Sequence, residues 1–466
     1  MKKILILGGL ATLFACNQKQ SITIKGKIEN PASDIVTLYN PTLDKTDTLS
    51  FNQEDGTFMA EFPLEKDYFV RIINGETAVP LYIEPGNDLV LNFDVKALNE
   101  NQENPATISG HGSENSSFLW KLNEINIEEG MRTLLTKPAT SFDSLVQDNY
   151  AKKTKAIEEI KNKPAYSTTF LDKISLITKI EMAEKYHYYN IYHPRFAPQD
   201  TTPIPDRFNE YGKDIPLDNA AYFNEIRQYK GHVMRTYRQQ IDDKLKGLNI
   251  DRFSINYTNR NFDEIIALNA AQEIKDELGK WLISSYSYRA DSIKEIIEKR
   301  YTEVLRNEKY LQEFEQMLKT INSLQPGTTA PAFAYPDMEG NMVTSKDLAG
   351  KVIYIDVWAT GCGPCRQELP HLKELEEQLH DQQVAFVSIS VDRNKEAWEK
   401  LIKEKEMKGY QLHAPGGWNA QIVKDYAIQG IPRFILIDKE GKLVDPNTTR
   451  PSNPETKEKI LKLLNS

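Results

Sequence analysis

The sequence predicts a multidomain protein with a small antiparallel β domain, an α-helical middle region and a C-terminal α/β domain. Apolar and polar residues alternate over residues 21–95, which is the period of half-buried strands. Between about residues 112 and 322, apolar residues recur every three or four positions, as in amphipathic helices. From about residue 326, short apolar runs alternate with helical stripes, which is typical of a mixed sheet covered by helices. A length of 466 residues is consistent with about three domains.

The first residues have the pattern of a secretory signal. Two lysines precede an apolar run at residues 4–14 that is too short to span a bilayer. The sequence Leu-Phe-Ala-Cys that ends at Cys16 resembles a bacterial lipobox, in which cleavage precedes a cysteine whose sulfur carries lipid. We therefore expect a signal peptide at residues 1–15, lipid on Cys16 and a tether at residues 16–20. The alternative is a cytosolic protein with an apolar start.

The first two thirds of the chain carry no visible catalytic motif. Residues 21–110 are predicted to form a β-sandwich-like domain, because runs such as Leu89 and Leu91 alternate and turn signals separate them. Residues 111–325 are predicted to be α-helical, with Ile293 and Ile297 at the start of one apolar stripe.

The composition limits the partners and the sulfur chemistry. A formal net charge of -9 argues against nucleic acid and anionic membrane surfaces as partners. If Cys16 carries lipid, the mature chain keeps only Cys362 and Cys365 among its three cysteines. An exported chain with a single Cys-x-x-Cys is expected to use its sulfur for exchange rather than for a structural disulfide.

The C-terminal domain, predicted at residues 326–466, is organised around this Cys-x-x-Cys motif. A β-branched and aromatic run at residues 352–357 predicts a buried strand, and apolar residues after Cys362 repeat at helical spacing. The pair therefore lies on a strand-to-helix turn, where free backbone N–H groups and the helix dipole stabilise a thiolate. Cys365 lies one turn further, close enough for a disulfide. Zinc is the alternative, but the chain lacks a second Cys or His pair at ligand spacing, so we expect no metal.

Residues 326–466 resemble the TlpA-like thiol:disulfide oxidoreductases of the thioredoxin superfamily, which include the ResA-type proteins. The matching motifs are Trp-Ala-x-x-Cys-Gly-Pro-Cys, which begins at Trp358, and the Gly-Ile-Pro that ends at Pro432. The resemblance implies an α/β thioredoxin fold with a cis-proline at Pro432 beside the disulfide. The substrate-binding residues that it implies are Trp358, Gly363, Pro364, Ile431 and Pro432. The chain departs from the pattern at Gly361 and Arg433, where relatives usually carry Trp and Thr. The β domain resembles one of unknown function that precedes thioredoxin domains in envelope lipoproteins.

Two carboxylates also match the family pattern. Asp356 falls six residues before Cys362, where thioredoxins keep a buried aspartate, and Glu368 completes Cys-x-x-Cys-x-x-Glu-x-Pro. The resemblance implies that either carboxylate takes a proton from Cys365 during exchange. The implied catalytic residues are Cys362, Cys365, Glu368 and Asp356. Without the resemblance, Asp356 is a strand-end residue that faces water, and Glu368 is a first-turn residue favoured by the helix dipole.

These features together predict a lipid-anchored, periplasm-facing thiol:disulfide oxidoreductase of the bacterial cell envelope. Gly-Pro between the cysteines resembles reducing thioredoxins, so a disulfide reductase is favoured over an oxidase. The expected partners are disulfide-containing envelope proteins, a membrane thiol electron donor and, through the lipid on Cys16, the membrane. No cofactor is expected beyond the redox-active disulfide of Cys362 and Cys365. Two alternatives stay open: a peroxiredoxin-like peroxidase, whose Pro-x-x-x-Thr-x-x-Cys motif is missing, and a lipoprotein that binds a ligand or partner through its first two thirds.

Overall fold

The computed structural model describes residues 20–100, 102, 105–252 and 254–465. The chain divides into two compact units: unit 1 ends at Tyr237 and unit 2 begins at Arg238. The predicted signal peptide and Cys16 lie outside the described residues. The region predicted to be helical contributes helices to both units. Within the described ranges, no helix combines the length and apolar character needed to cross a bilayer.

Unit 1 begins with two packed sheets. The strands are β1 (Gln20–Glu29), β2 (Val36–Asn40), β3 (Lys45–Thr48), β4 (Ser50–Phe51), β5 (Thr57–Leu64), β6 (Tyr68–Asn74), β7 (Thr77–Ile83), β8 (Asp88–Asp94) and β9 (Ala106–His111). One sheet has the order β4-β5-β1-β8-β9 and the other β3-β2-β6-β7. β1 and β8 are parallel, while the other described pairings in these sheets are antiparallel. Ile24 and Leu89 of the first sheet and Ile72 and Leu81 of the second share one buried core, as in a sandwich.

One short helix of unit 1 lies between β8 and β9, and the other helices follow the sandwich. In chain order, the helices are α1 (Val95–Asn99), α2 (Ser113–Glu124), α3 (Met131–Leu135), α4 (Ala139–Ile160), α5 (Thr168–Phe196), α6 (Ala220–Glu225) and α7 (Arg227–Lys246), the last of which continues past Tyr237. Lys173 of α5 is buried and forms ion pairs with Asp67, from the sandwich, and Glu225, from α6. A buried ammonium group needs such partners, so this network fixes α5 against its neighbours.

Unit 2 contains further helices and the α/β fold. The helices before the fold are α8 (Ile255–Ala267), α9 (Gln272–Ile283), α10 (Asp291–Val304) and α11 (Glu308–Ser323). The strands are β10 (Ala334–Pro336), β11 (Met342–Thr344), β12 (Val352–Trp358), β13 (Val384–Ser390), β14 (Tyr410–His413), β15 (Arg433–Ile437) and β16 (Leu443–Asp445). The helices within the fold are α12 (Gly363–Gln378), α13 (Lys395–Lys405), α14 (Gln421–Asp425) and α15 (Pro454–Leu464).

A mixed sheet with the order β14-β13-β12-β15-β16 forms the centre of this fold. β12 is parallel to β13 and antiparallel to β15. Its side chains alternate between two cores: Ile353 and Ile355 lie in one, Val352 and Tyr354 in the other. The structure thus confirms the predicted α/β architecture, with β12 as the buried strand that leads to the cysteines.

Candidate active site

Cys362 and Cys365 form a disulfide at the turn between β12 and α12, with Cα atoms 5.3 Å apart. Cys362 is the N-cap residue of α12, and its Sγ accepts a hydrogen bond of 3.1 Å from the backbone N–H of Cys365. Cys362 is half-buried, whereas Cys365 is 1% exposed. In the reduced protein, a thiolate at Cys362 would keep this donor and the positive end of the helix dipole, which favour the charged form. Of the two sulfurs, that of Cys362 is the more accessible to a partner.

The first turn of α12 is exposed because of its sequence. Pro364 lies in this turn, where its missing N–H removes no helical hydrogen bond, and its fixed φ suits a helix start. Gly363 is exposed, and a Cβ at this position would meet no atom within 4 Å. Backbone and ring surface next to Cys362 are therefore open to a partner.

The loop before the cysteines is held by Asp392, which the sequence analysis missed. The Asp392 carboxylate accepts hydrogen bonds from the backbone N–H of Thr360 at 2.8 Å and from its hydroxyl at 2.7 Å. Ser390 at the end of β13 donates a further hydrogen bond to this carboxylate at 2.7 Å. Because β12 and β13 are parallel, the residues after both strands meet at one edge of the sheet. That alignment was the available signal for Asp392, which follows closely after the end of β13.

An apolar cluster surrounds the disulfide. Cys365 packs with the buried residues Trp358, Trp398 and Ile402, and Cys362 and Ile431 contact the same cluster. The structure therefore brings together both cysteines and two of the predicted substrate-binding residues. This packing keeps water from Cys365 while Cys362 stays half-buried.

The Ile431–Pro432 peptide bond is cis, and it precedes β15. Pro432 is buried, and Val357 of β12 pairs with Arg433. Arg433 is 2% exposed, and its guanidinium donates hydrogen bonds to the Pro446 carbonyl at 3.1 Å and the Ser287 hydroxyl at 2.9 Å. Arg433, which departs from the family pattern, therefore connects the cis-proline strand to the helical part of unit 2.

Asp356 is a buried carboxyl group on the strand that leads to the cysteines. It is 3% exposed, and its Oδ1 has no hydrogen-bond partner among the described residues. Burial, with smaller contributions from the charges of Glu368 and Glu376, raises the pKa of Asp356 to about 8. Asp356 therefore does not face water, and it keeps its proton through neutral pH.

Glu368 has a different environment from Asp356. It is 7% exposed, and its carboxylate accepts hydrogen bonds from the backbone N–H of Ser452 at 3.1 Å and from its hydroxyl at 3.0 Å. Arg450 forms a longer ion pair with it at 3.6 Å. Both Glu368 oxygens thus have donors, which Asp356 Oδ1 lacks. Ser452 lies 84 residues further along the chain, and no local pattern connects it with Glu368.

The described part of the chain offers no metal centre near this site: no group of three or more His, Cys, Asp or Glu side chains could hold an ion there. The residues brought together are thiols, carboxylates and apolar side chains. This arrangement is suited to thiol–disulfide exchange.

The family match and the sequence relatives agree with this chemistry. Residues 325–464 match the model of the Redoxin family. The thiol-disulfide oxidoreductase ResA of Bacillus cereus is 31% identical over 122 residues, which are 26% of this chain and 69% of that protein. ResA of Bacillus subtilis is 30% identical over 124 residues, or 26% of this chain and 66% of that protein. A solution structure from Bacteroides vulgatus, assigned as a thiol-disulfide oxidoreductase, is 52% identical and covers 31% of this chain and 93% of that chain, with a TM-score of 0.28.

The raised pKa of Asp356 predicts that the folded protein loses stability as pH rises, and Asp356→Asn should make the stability less dependent on pH. An unfolded Asp has a pKa of about 3.9, so between there and a folded pKa of about 8 only the folded state holds this proton. The contribution of this proton to the free energy of unfolding is complete below about pH 4. It is lost as pH rises through 8, at up to about 1.4 kcal/mol per pH unit. Between pH 5 and 7, the unfolding free energy of the oxidised wild type should fall by about 1 to 3 kcal/mol more than that of Asp356→Asn, measured by urea denaturation.

The carboxylate of Asp291, which is fully exposed and pairs only with Lys294 among the described residues, provides the matched control. Asp291→Asn should keep the wild-type slope of stability against pH. Equal slopes for wild type and Asp356→Asn would contradict the assignment of a buried, protonated Asp356.

Proposed function

Since this chain belongs to the ResA-like family of thiol-disulfide oxidoreductases, we propose that it is a disulfide reductase, anchored by lipid on Cys16 and facing the periplasm. The observation that carries the proposed thiol–disulfide exchange is the asymmetry of the pair. Cys362 is accessible and caps a helix, while Cys365 is shielded beneath it. One sulfur is thus placed to attack a partner, and the other to resolve the product.

The reaction consists of two exchanges. The Cys362 thiolate attacks one sulfur of the partner's disulfide, the partner's S–S bond breaks, and one partner thiolate leaves and takes a proton from solvent. Cys365 then loses its proton and attacks Cys362 Sγ, which releases the second partner thiolate. Two electrons pass from the protein dithiol to the partner, and the protein is left with the Cys362–Cys365 disulfide. A membrane thiol electron donor would restore the dithiol by the same exchange in reverse.

The direction of electron flow is inferred from the residues between the cysteines. Gly363 and Pro364 are the pair found in thioredoxin-like reductants, whose potential is about -270 mV, against about -120 mV for the oxidant DsbA. The more negative couple gives electrons to ordinary disulfides. This supports reduction of disulfide-containing envelope proteins over their oxidation.

Proton transfer and substrate contact are assigned to the surrounding residues. Asp356, whose pKa of about 8 lets it hold or release a proton near neutrality, is proposed to exchange a proton with Cys365, with Glu368 as the second carboxylate. Trp358, Ile431 and Pro432 are proposed to line the partner's path to Cys362, together with the exposed first turn of α12.

Substitution of the shielded cysteine should trap partners. In Cys365→Ala, the mixed disulfide at Cys362 cannot be resolved, so partner proteins from envelope extracts should accumulate as reducible adducts, to be identified by mass spectrometry. Cys362→Ala is the matched control and should trap few or none, because its remaining thiol is shielded. Equal trapping by both variants would overturn the roles of the two cysteines.

The lipid anchor predicts that loss of Cys16 changes where the protein is found in the cell but not its rate of disulfide exchange. Cys16→Ser should move the protein from the detergent phase to the aqueous phase on detergent partitioning of cells, while the rate of disulfide exchange by purified protein stays unchanged. Gln18→Ala, a neighbouring change that keeps the cysteine, should stay in the detergent phase. Partitioning that does not depend on Cys16 would contradict the anchor.

A further inference from the structure

A groove of about 450 Å³ runs beside α12, between that helix and residues 405–411. It begins at Gly363, next to Cys362, and extends to Glu376. At 1.5 Å per helical residue, this part of α12 is about 20 Å long. An extended peptide of about six residues would span that length. The groove therefore leads away from the accessible cysteine along the redox helix.

Two buried polar residues, Gln411 and Glu376, line the base of the groove. Gln411 of β14 is 8% exposed, and its Oε1 has no hydrogen-bond partner among the described residues, although its Nε2 donates to the Lys408 carbonyl. Glu376 is also 8% exposed, and burial raises the pKa of its carboxyl group to about 7. The base of the groove thus has little negative charge at pH 7 to oppose the cationic side chains around it.

The groove is lined by both apolar and cationic side chains. Leu369, Leu372 and Met407 supply apolar walls. Cationic side chains line the remainder: Arg366, Lys373, Lys405 and Lys408. Lys373 and Lys408 have acidic neighbours in Glu406 and Glu377, at 3.8 and 3.3 Å. Across the described ranges, Arg366 and Lys405 have no acidic side chain within ion-pair distance, although the chain as a whole carries a net charge of -9.

We propose that this groove binds an extended segment of the disulfide partner in which an acidic residue stands beside an apolar one. The inference rests on the proposed function, because it identifies the class of partner that reaches Cys362. The apolar side chain packs against Leu369 and Met407, and carboxylates lie near Arg366 and Lys405. The groove adds binding and orientation only, and the exchange of bonds and electrons is the one given above.

Single-turnover kinetics with defined disulfides test the proposal. Reduced protein is mixed with two peptides that share one cyclic disulfide, one flanked by Leu-Asp-Asp and the other by Ser-Lys-Lys, and with the uncharged bis(2-hydroxyethyl) disulfide. Protein oxidation is followed by quenching with a maleimide and mass spectrometry. We expect the acidic peptide to react about tenfold faster than the basic one, with a preference that weakens at high salt.

Lys405→Glu should remove most of this preference and leave the rate with the uncharged disulfide unchanged. Lys424→Glu, an equal charge change at an exposed position of α14 outside the groove, should keep the preference. Equal peptide rates in the wild type, or a preference that Lys405→Glu does not alter, would overturn the inference alone. Sedimentation with phosphatidylglycerol vesicles that depends on Lys405, without any peptide preference, would overturn it in favour of a lipid surface. Failure with all three disulfides would overturn the proposed function and this inference with it.

Discussion

The capping of α12 by Cys362 is the interaction on which the rest of the site depends. A single backbone N–H, that of Cys365, donates to the Cys362 sulfur at 3.1 Å, and the helix dipole acts in the same direction. This geometry requires a rigid strand end and a fixed loop. β12 provides the rigid strand end, because it is completely buried between β13 and β15. The hydrogen bonds from Thr360 to Asp392 fix the loop. The elements around Cys362 are thus held by contacts that do not involve sulfur.

The two buried carboxyl groups show how environment divides similar residues. Asp356 lacks a donor at Oδ1 and lies in the sheet, so burial raises its pKa to about 8. Glu368 has Ser452 as a donor to both oxygens and Arg450 nearby. Two negative charges close together repel each other. Because Glu368 has donors at both oxygens and Asp356 does not, the proton is favoured on Asp356. Asp356 lies on β12 and Glu368 on α12, the two elements that meet at the disulfide turn.

Much of the fold was predictable because its signals are local. The β-branched and aromatic run at residues 352–357 and the helical stripe after Cys362 correctly predicted the buried strand and the helix on either side of the turn. Leu89 and Leu91, which alternate with other residues in the sequence, lie in the core of the sandwich in the structure. The contacts that position the site were less accessible, since they join distant residues: Ser452 with Glu368, and Ser287 with Arg433. The boundary between Tyr237 and Arg238 falls inside the predicted helical region, where apolar periodicity continues and composition does not change.

The most direct measurement of the central claim is the reduction potential of the Cys362–Cys365 pair, from equilibration with dithiothreitol buffers and quantification of free thiols. A helix-capped pair with Gly-Pro between its cysteines, acting as a reductase, should have a potential close to the about -270 mV of thioredoxin. A potential near the about -120 mV of DsbA would contradict the account, because such a pair would oxidise its partners instead of reducing them.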